Sequence, residues 1–274
     1  MLSKNILQKS KLSTQLKFVP AQTRLYSRIL INTNRTHSGL VGEAKESFIK
    51  PINKSQIRFS SNNVRINSIA PNFQKNTTDG EIDFHKFIGD AWTVLFSHPA
   101  DHTPVCTTEL GSISSRIDEF KALGAKVIAL SVDDVEDHKK WLKDFEKLGD
   151  ALKFPIIDDS GKEVAYAYDM LPEEAYTEKS NKLVPTVRSV FIIDPNKKVR
   201  LILTYPPSVG RNIDEILRAL KALQVGDKNG VVTPVDWQPG NEVIIPPSIS
   251  DEDATKKFGE FRKVLPYLRY TKVD

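Results

Sequence analysis

Two short apolar runs, Trp92–Ser97 and Lys126–Val132, flank a stretch in which Cys106, Leu110, Ile113, Ile117 and Phe120 recur at helical spacing. Runs of that length, rich in β-branched and aromatic residues, read as buried strands, and the stripe between them reads as one helix from Pro104 to Gly124. Trp141, Leu142, Phe145 and Leu148 mark the inner side of a second helix, and Phe154–Ile157 a further short strand. Asp158–Gly161 is a turn leading to a short helix that ends near Tyr168. Arg188–Ile193 and Val199–Tyr205 flank the turn residues Asp194–Lys197 and predict an antiparallel hairpin, with Ile213–Leu223 as a closing helix. Upstream, Val64–Ile69 and Ala70–Phe73 read as a short strand or extended lead-in. Strand–helix–strand units followed by a hairpin and a helix predict an α/β layer, a mixed central sheet flanked by helices on both faces.

The two ends differ from this middle. Residues 1–58 hold eleven Lys or Arg and two acids, Glu43 and Glu46, and the remainder holds 28 basic and 33 acidic residues. The overall charge of +4 therefore comes from the front of the chain and carries no hint of nucleic acid binding. Met1–Gly42 lacks acids, is rich in Ser, Thr and Asn, and spaces Leu2 and Ile6, and Leu12 and Leu16, four residues apart and Lys4 and Lys11 seven apart, as in a short helix with an apolar and a basic side. That composition predicts a mitochondrial transit peptide over residues 1–60, or else a disordered arm that stays attached. Residues 24–27 and 58–61 are candidate processing sites, and the matrix is the expected destination. Nothing approaches the ~20 apolar residues of a membrane-spanning helix, so no stable membrane insertion is expected. At the other end, residues 224–274 are interrupted by five prolines and show no long periodic element. They are expected to pack on the main domain or to reach a partner subunit.

Cys106 is the only cysteine in 274 residues. That excludes an internal disulfide, a paired-cysteine redox motif and a multi-cysteine zinc site; no metal or other cofactor is expected. A lone cysteine on an apolar stripe is ordinarily inert packing. Its local setting argues otherwise. Thr103 suits an N-cap and Pro104 the first helical position, which puts Cys106 in the first turn, where free N–H groups and the helix dipole favour an anion. The thiolate is the nucleophilic form. In the spacing Pro99-x-x-x-Thr103-x-x-Cys106, one helical turn brings the threonine hydroxyl within reach of the sulfur, and the proline supplies bulk without a donor. Arg188, opening a strand, is a candidate cationic partner, although spacing alone does not bring it to Cys106.

The stretch Phe96-Ser-His-Pro-Ala-Asp-His-Thr-Pro-Val-Cys-Thr-Thr-Glu-Leu110 resembles the reactive-cysteine motif of peroxiredoxins, in their one-cysteine subfamily. Ser131-Val-Asp133, His138 and Trp141, Pro185-Thr-Val-Arg188, and Tyr205-Pro-Pro-Ser-Val-Gly-Arg-Asn212 match further family patterns, and the stretch through Trp237-Gln-Pro-Gly240 resembles the subfamily's dimerisation arm. The resemblance spans about 64–274. It implies a thioredoxin-like fold over 61–223, a dimerisation arm over 224–274 and a homodimer. It also implies a thiol peroxidase in which Cys106 attacks a peroxide, Thr103 and Arg188 position the substrate and Pro99 shields the pocket. Glu109 and Arg211 are implied to hold the arginine network. His98 reads as a near-site tuning residue or a hydrogen-bonded strand-end histidine, and His102 as a loop residue. Where some relatives carry a Gly-x-Ser-x-Gly-like element linked to phospholipase activity, this chain has Ala91 in Gly89-Asp-Ala-Trp-Thr93, so that second activity is expected to be absent and His85 to be an ordinary surface or packing residue.

The first half-reaction then makes a sulfenic acid on Cys106, and an external thiol must regenerate it: glutathione, glutaredoxin or a thioredoxin system. Two other readings compete. A thiol–disulfide oxidoreductase would need a cysteine at 103, where the chain has threonine. A redox-dependent chaperone or peroxide sensor would show little sustained turnover.

Overall fold

The computed structural model describes residues 64–149, 151–177 and 184–273. The expected leader and both candidate processing sites lie outside them.

The chain runs β1 (Gln74–Thr77), β2 (Gly80–Asp83), α1 (Phe84–Ile88), β3 (Trp92–Ser97), α2 (Pro104–Ser115), α3 (Ile117–Ala122) and β4 (Ala125–Ser131). It continues through α4 (Val135–Lys147), β5 (Ile156–Asp158), α5 (Glu163–Ala167), α6 (Glu174–Thr177), β6 (Arg188–Ile193), β7 (Val199–Tyr205) and α7 (Ile213–Asn229). It ends in β8 (Val243–Ile244), α8 (Asp251–Phe258), β9 (Arg262–Leu265) and β10 (Leu268–Thr271). Seven strands form a sheet of order β2-β1-β5-β4-β3-β6-β7. β3 is parallel to β4 and β4 to β5, whereas β6 runs antiparallel to β3 and β7 to β6. The sheet is mixed, as the sequence predicts.

Alternation along the strands splits the core in two. Val94 and Phe96 of β3, with Val190 and Ile192 of β6, face a cluster built from Cys106, Leu110, Trp141, Phe145, Ile216 and Leu220. Leu95, Ile128, Leu130, Phe191 and Ile193 face the other way, against Phe84, Ile88, Val164 and Tyr168. Burying the sheet on both faces explains why its central strands read as continuous apolar runs.

Several expectations change. The single helix over 104–124 is two, α2 and α3, broken at Arg116 (φ −107°, ψ 13°). The break is one residue, so the stripe keeps its phase, and all five stripe residues are buried. Leu148 is not on the inner side of α4: it caps the helix end and is 72% exposed, because the chain turns away there. The lead-in at 64–69 is a turn, with Asn67 at φ +71° and one bridge from Ile69 to Lys198, rather than a strand. β1 and β2 form a hairpin, Gln74–Asp83, with Ile82 as its one apolar residue, so apolar alternation does not reveal it; β1 joins the sheet through Thr77 against Ile157 of β5.

The closing helix continues six residues past Leu223 to Asn229, because Val225 carries its apolar stripe onward. It starts at Asn212, whose side chain accepts from the Glu215 N–H, and stops at Gly230, whose φ of +64° suits a residue without Cβ. Beyond it, β8, β10 and β9 form a three-stranded sheet, and Val231, Trp237 and Val243 pack on Val225 of α7. Among the described residues the tail therefore has regular structure, which its prolines conceal, and it packs on the main domain.

Candidate active site

β3 ends at Ser97, and the loop from His98 to Thr103 delivers the chain into α2. Pro99 in that loop is buried. Thr103 occupies the N-cap position with extended backbone (φ −111°, ψ 146°) and Pro104 follows as the first helical residue. The expected side-chain cap does not form. The Thr103 hydroxyl instead donates to the Ala100 carbonyl at 2.9 Å, which tightens the loop and leaves its oxygen lone pairs as acceptors. The Thr103 carbonyl accepts from both the N–H and the hydroxyl of Thr107. Cys106 thus sits in the first turn, 0% exposed.

The sheet order brings Arg188 to it. β6 runs antiparallel beside β3 with Val190 opposite Phe96, so the start of β6 lies beside the end of β3, where the loop to α2 begins. Arg188, the first residue of β6, is 3% exposed and aims Nη1 at the Cys106 sulfur at 3.3 Å. The same Nη1 donates to Glu109 Oε2 at 2.8 Å, and Nε and Nη2 both donate to the Pro207 carbonyl at 2.9 and 2.8 Å. Glu109 lies three residues after Cys106, on the same helical face. Arg211 grips the carboxylate from the other side, through its backbone N–H and Nε to Oε1 (2.7 and 3.0 Å) and Nη2 to Oε2 (2.7 Å). Its Nη1 donates to the carbonyls of Ser97 and Ser189, tying the clamp to β3 and β6.

Burial pushes the Glu109 carboxyl up, but its hydrogen bonds to Arg211 and the charges of Arg211 and Arg188 outweigh that and hold it below the usual carboxylate range. Guanidinium groups stay protonated. Two arginines and one carboxylate leave one positive charge uncompensated beside the sulfur, and an anion there completes the balance. The structure thus brings together Cys106, Arg188, Glu109 and Arg211, and places Thr103 and Pro99 on the loop that leads to the sulfur.

The histidines divide. His98 is 0% exposed, with Nε2 at 2.9 Å from Asp101 Oδ1 and Nδ1 without a partner. His102 is exposed, in the left-handed region (φ +54°), with Nδ1 3.2 Å from Asp144. His85 meets the Ala70 carbonyl through Nε2. Two participants escape sequence reasoning: the Pro207 carbonyl, a backbone group with no side-chain signal, and Asp101, buried at 7% exposure and bridging His98 and His138. The Ser-Val-Asp…His pattern was the available signal for Asp101.

A mixed sheet flanked by helices, with one thiol at a helix start and a guanidinium on its sulfur, defines the thiol-dependent peroxidases of thioredoxin-like fold. The AhpC/TSA family model matches residues 66–202, and that of the C-terminal domain of 1-Cys peroxiredoxin matches 222–260. Peroxiredoxin PRX1, mitochondrial, of Saccharomyces cerevisiae is 53% identical over 211 residues, covering 76% of this chain and 81% of the yeast protein. Peroxiredoxin-6 of Homo sapiens is 48% identical over 218 residues, covering 75% and 96%. A solved structure of the yeast mitochondrial 1-Cys peroxiredoxin, described as resolving its thiol via glutathione/thioredoxin systems, superimposes with a TM-score of 0.70 at 51% identity, covering 77% of this chain and 100% of that one. The chain belongs to the peroxiredoxin family, in its one-cysteine form. It is a thiol-dependent peroxidase.

Proposed function

We propose that Cys106 is the peroxide-attacking residue, that Arg188 and Thr103 position the substrate, and that Pro99 keeps water from the sulfur. The single observation carrying this reading is Arg188 Nη1 at 3.3 Å from Sγ, with that nitrogen also donating to Glu109 and the rest of the guanidinium held by the Pro207 carbonyl. The thiolate attacks the terminal oxygen of hydrogen peroxide or an organic hydroperoxide. The O–O bond breaks, the sulfur becomes a sulfenic acid, and the leaving alkoxide or hydroxide takes a proton to depart as alcohol or water. Arg188 can donate to the peroxide as charge moves onto that leaving oxygen. Glu109 and Arg211 hold the arginine in place, and His98 tunes the site from the strand end.

With one cysteine in the chain, the sulfenic acid condenses with an external thiol to a mixed disulfide, releasing water, and a second thiol frees Cys106. Glutathione, glutaredoxin or a thioredoxin system is the reductant, in keeping with the yeast relative. Steady peroxide turnover by the purified protein with each reductant in turn tests this. Sustained turnover with at least one is expected; consumption of a single equivalent with all of them would overturn it in favour of a peroxide sensor.

Residues 1–60 are read as the transit peptide, with the mitochondrial matrix as destination, supported by their composition and the mitochondrial yeast relative. Digestion of the protein by protease added to intact mitochondria would contradict that location. Residues 61–223 are the peroxidase domain and 224–274 the arm of a homodimer. β7 is an edge of the main sheet, seven residues long, and Val264, Leu265 and Tyr267 at the β9–β10 hairpin are 50%, 42% and 62% exposed. An edge and an apolar tip of that kind favour a partner surface. Light scattering is expected to give twice the mass of the chain; a monomer at micromolar concentration would count against the arm.

A further inference from the structure

We propose that Asp101 and His138 are positioning residues of the peroxidase: a buried ion pair beneath the 98–103 loop that fixes Pro99 and Thr103 and decides which nitrogen of His98 carries its proton. The proposal rests on the reading of Cys106, Thr103 and Pro99 given above.

With Asp101 ionised, the geometry assigns the protons. His138 of α4 is 0% exposed; its Nε2 faces the Ile157 carbonyl at 3.1 Å and its Nδ1 faces Asp101 Oδ2 at 2.5 Å. A carbonyl only accepts, and an ionised carboxylate only accepts, so both ring nitrogens carry hydrogen and the ring is an imidazolium. The other oxygen of Asp101 faces His98 Nε2 at 2.9 Å, which places the His98 hydrogen on Nε2 and leaves Nδ1 bare. His98 Nδ1 is a buried atom without a partner, as a free lone pair would be. One carboxylate thus serves one imidazolium and one neutral imidazole.

The remaining contacts converge on the same loop. Asp133 Oδ2 accepts the Asp101 N–H at 2.8 Å and is itself steadied by the Ser131 hydroxyl at 2.8 Å. Trp141 lies with its ring centroid 5.3 Å from that of His98 and 6.3 Å from that of His102. The Thr186 hydroxyl donates to the His98 carbonyl at 2.7 Å. Ser131, Asp133, His138 and Trp141, a pattern the peroxide chemistry leaves unused, therefore all support the segment between β3 and α2. Asp101 is two residues from both Pro99 and Thr103, and the left-handed backbone at His102 persists only in a loop that is firmly held.

Titration behaviour agrees. Burial raises the Asp101 carboxyl, but hydrogen bonds from His138 and His98 outweigh it and bring it down to about 2. Burial lowers His138, but the Asp101 bond and charge, the Ile157 carbonyl and the charge of Asp133 outweigh it and leave it above the ordinary histidine value. Burial dominates at His98, with the charges of His138 and Arg211 adding to it, and keeps that ring neutral. Asp158 at the end of β5 adds a further negative charge facing His138. The pair is complete below the ordinary histidine range, is lost as pH rises through the raised His138 value, and at the acid end is lost as pH falls toward about 2.

Two measurements on the full chain test the proposal. In a 15N-histidine titration of the labelled enzyme, His138 is expected to keep both ring nitrogens protonated to higher pH than a free histidine, while His98 stays neutral with its hydrogen on Nε2, and His138→Gln identifies the first signal. A His138 that loses its proton at or below the pH at which a free histidine does would overturn the assignment without need of any other variant. Rapid-mixing measurement of Cys106 oxidation is expected to be slowed on the order of tenfold or more by Asp101→Asn. His138→Gln is expected to remove the alkaline limb of the wild-type oxidation profile. Unchanged oxidation by Asp101→Asn, in a protein that loses all activity on Cys106→Ser, sinks the positioning role alone. Activity surviving Cys106→Ser sinks the underlying reading of the site.

Discussion

Peroxide consumption is expected to fall to the level of a no-enzyme control when Cys106 is replaced by serine, a loss of at least roughly a thousandfold. The substitution exchanges sulfur for oxygen at a site that is 0% exposed, inside the cluster containing Phe96, Leu110 and Val190. Shape is nearly conserved, and the new hydroxyl can still accept from Arg188 Nη1. Folding is therefore expected to survive, with a stability change within about 1 kcal/mol. What disappears is the nucleophile. A serine hydroxyl stays protonated near neutrality where a thiol can ionise, and no histidine among the described residues is hydrogen-bonded to the residue to deprotonate it. The chain has no second cysteine to take over. Paired measurements of peroxide loss and denaturant unfolding separate the two effects. Retained turnover in a folded Cys106→Ser protein would remove the basis of the mechanism, whereas loss of both activity and fold would show the thiol to be needed for packing as well.

The parts of this site that were legible in the sequence are those local in the chain. Pro99, Thr103 and Cys106 lie within one loop and one helical turn, so residue type and spacing carried their placement. Thr103 shows the limit: its position as N-cap was readable, but its hydroxyl turns to Ala100, a choice made by the loop's fold. Glu109 and Arg211 meet across 102 residues of chain, and Arg188 and Cys106 across 82. No periodicity encodes such pairs, and only the resemblance supplied them. Asp101 and His138 were missed as partners for the same reason.

The fold divides in a similar way. β3 and β6 have the bounds the sequence indicates because central strands covered on both faces are mainly apolar, and β7, a half-buried edge strand, is bounded by the turn at Asp194–Lys197. The β1–β2 hairpin carries a single apolar residue, Ile82, and α1 is only five residues long, so neither leaves a periodic trace. The break between α2 and α3 was invisible because the stripe crosses it in phase. The tail was hidden by its prolines, although Arg269, 2% exposed and holding Asp251, Pro246 and Ile249, shows how such a segment is pinned without a large core.

Removing the charge from Arg188 is the second large effect expected, and it separates the role of this arginine from mere packing. Arg188→Ala takes both donors from the Pro207 carbonyl, one from Glu109 and the only side-chain donor within reach of the Cys106 sulfur among the described residues. Glu109 keeps Arg211, so no buried charge is left uncompensated, and the loss of stability is expected to fall below the about 3–5 kcal/mol of a buried pair broken outright. Because Glu109 is held below the usual carboxylate range, its contribution to stability is present above that range and lost as pH falls through the lowered folded value. Without Arg188 that contribution shrinks, and acid unfolding is expected at higher pH in the variant. Oxidation of Cys106 by peroxide should slow by roughly a hundredfold to a thousandfold, as for the loss of one aimed donor to a developing anion. Arg188→Lys supplies a charge but no planar fork, so it cannot serve sulfur, Glu109 and Pro207 together and should recover stability more fully than rate. The decisive comparison is therefore between the two variants, with unfolding by denaturant and oxidation rate measured in each at a temperature where both are folded. A slow reaction in a nearly wild-type-stable Arg188→Lys protein assigns the arginine to the chemistry. Equal recovery of rate and stability would mean that a positive charge suffices and that the fork serves only the fold.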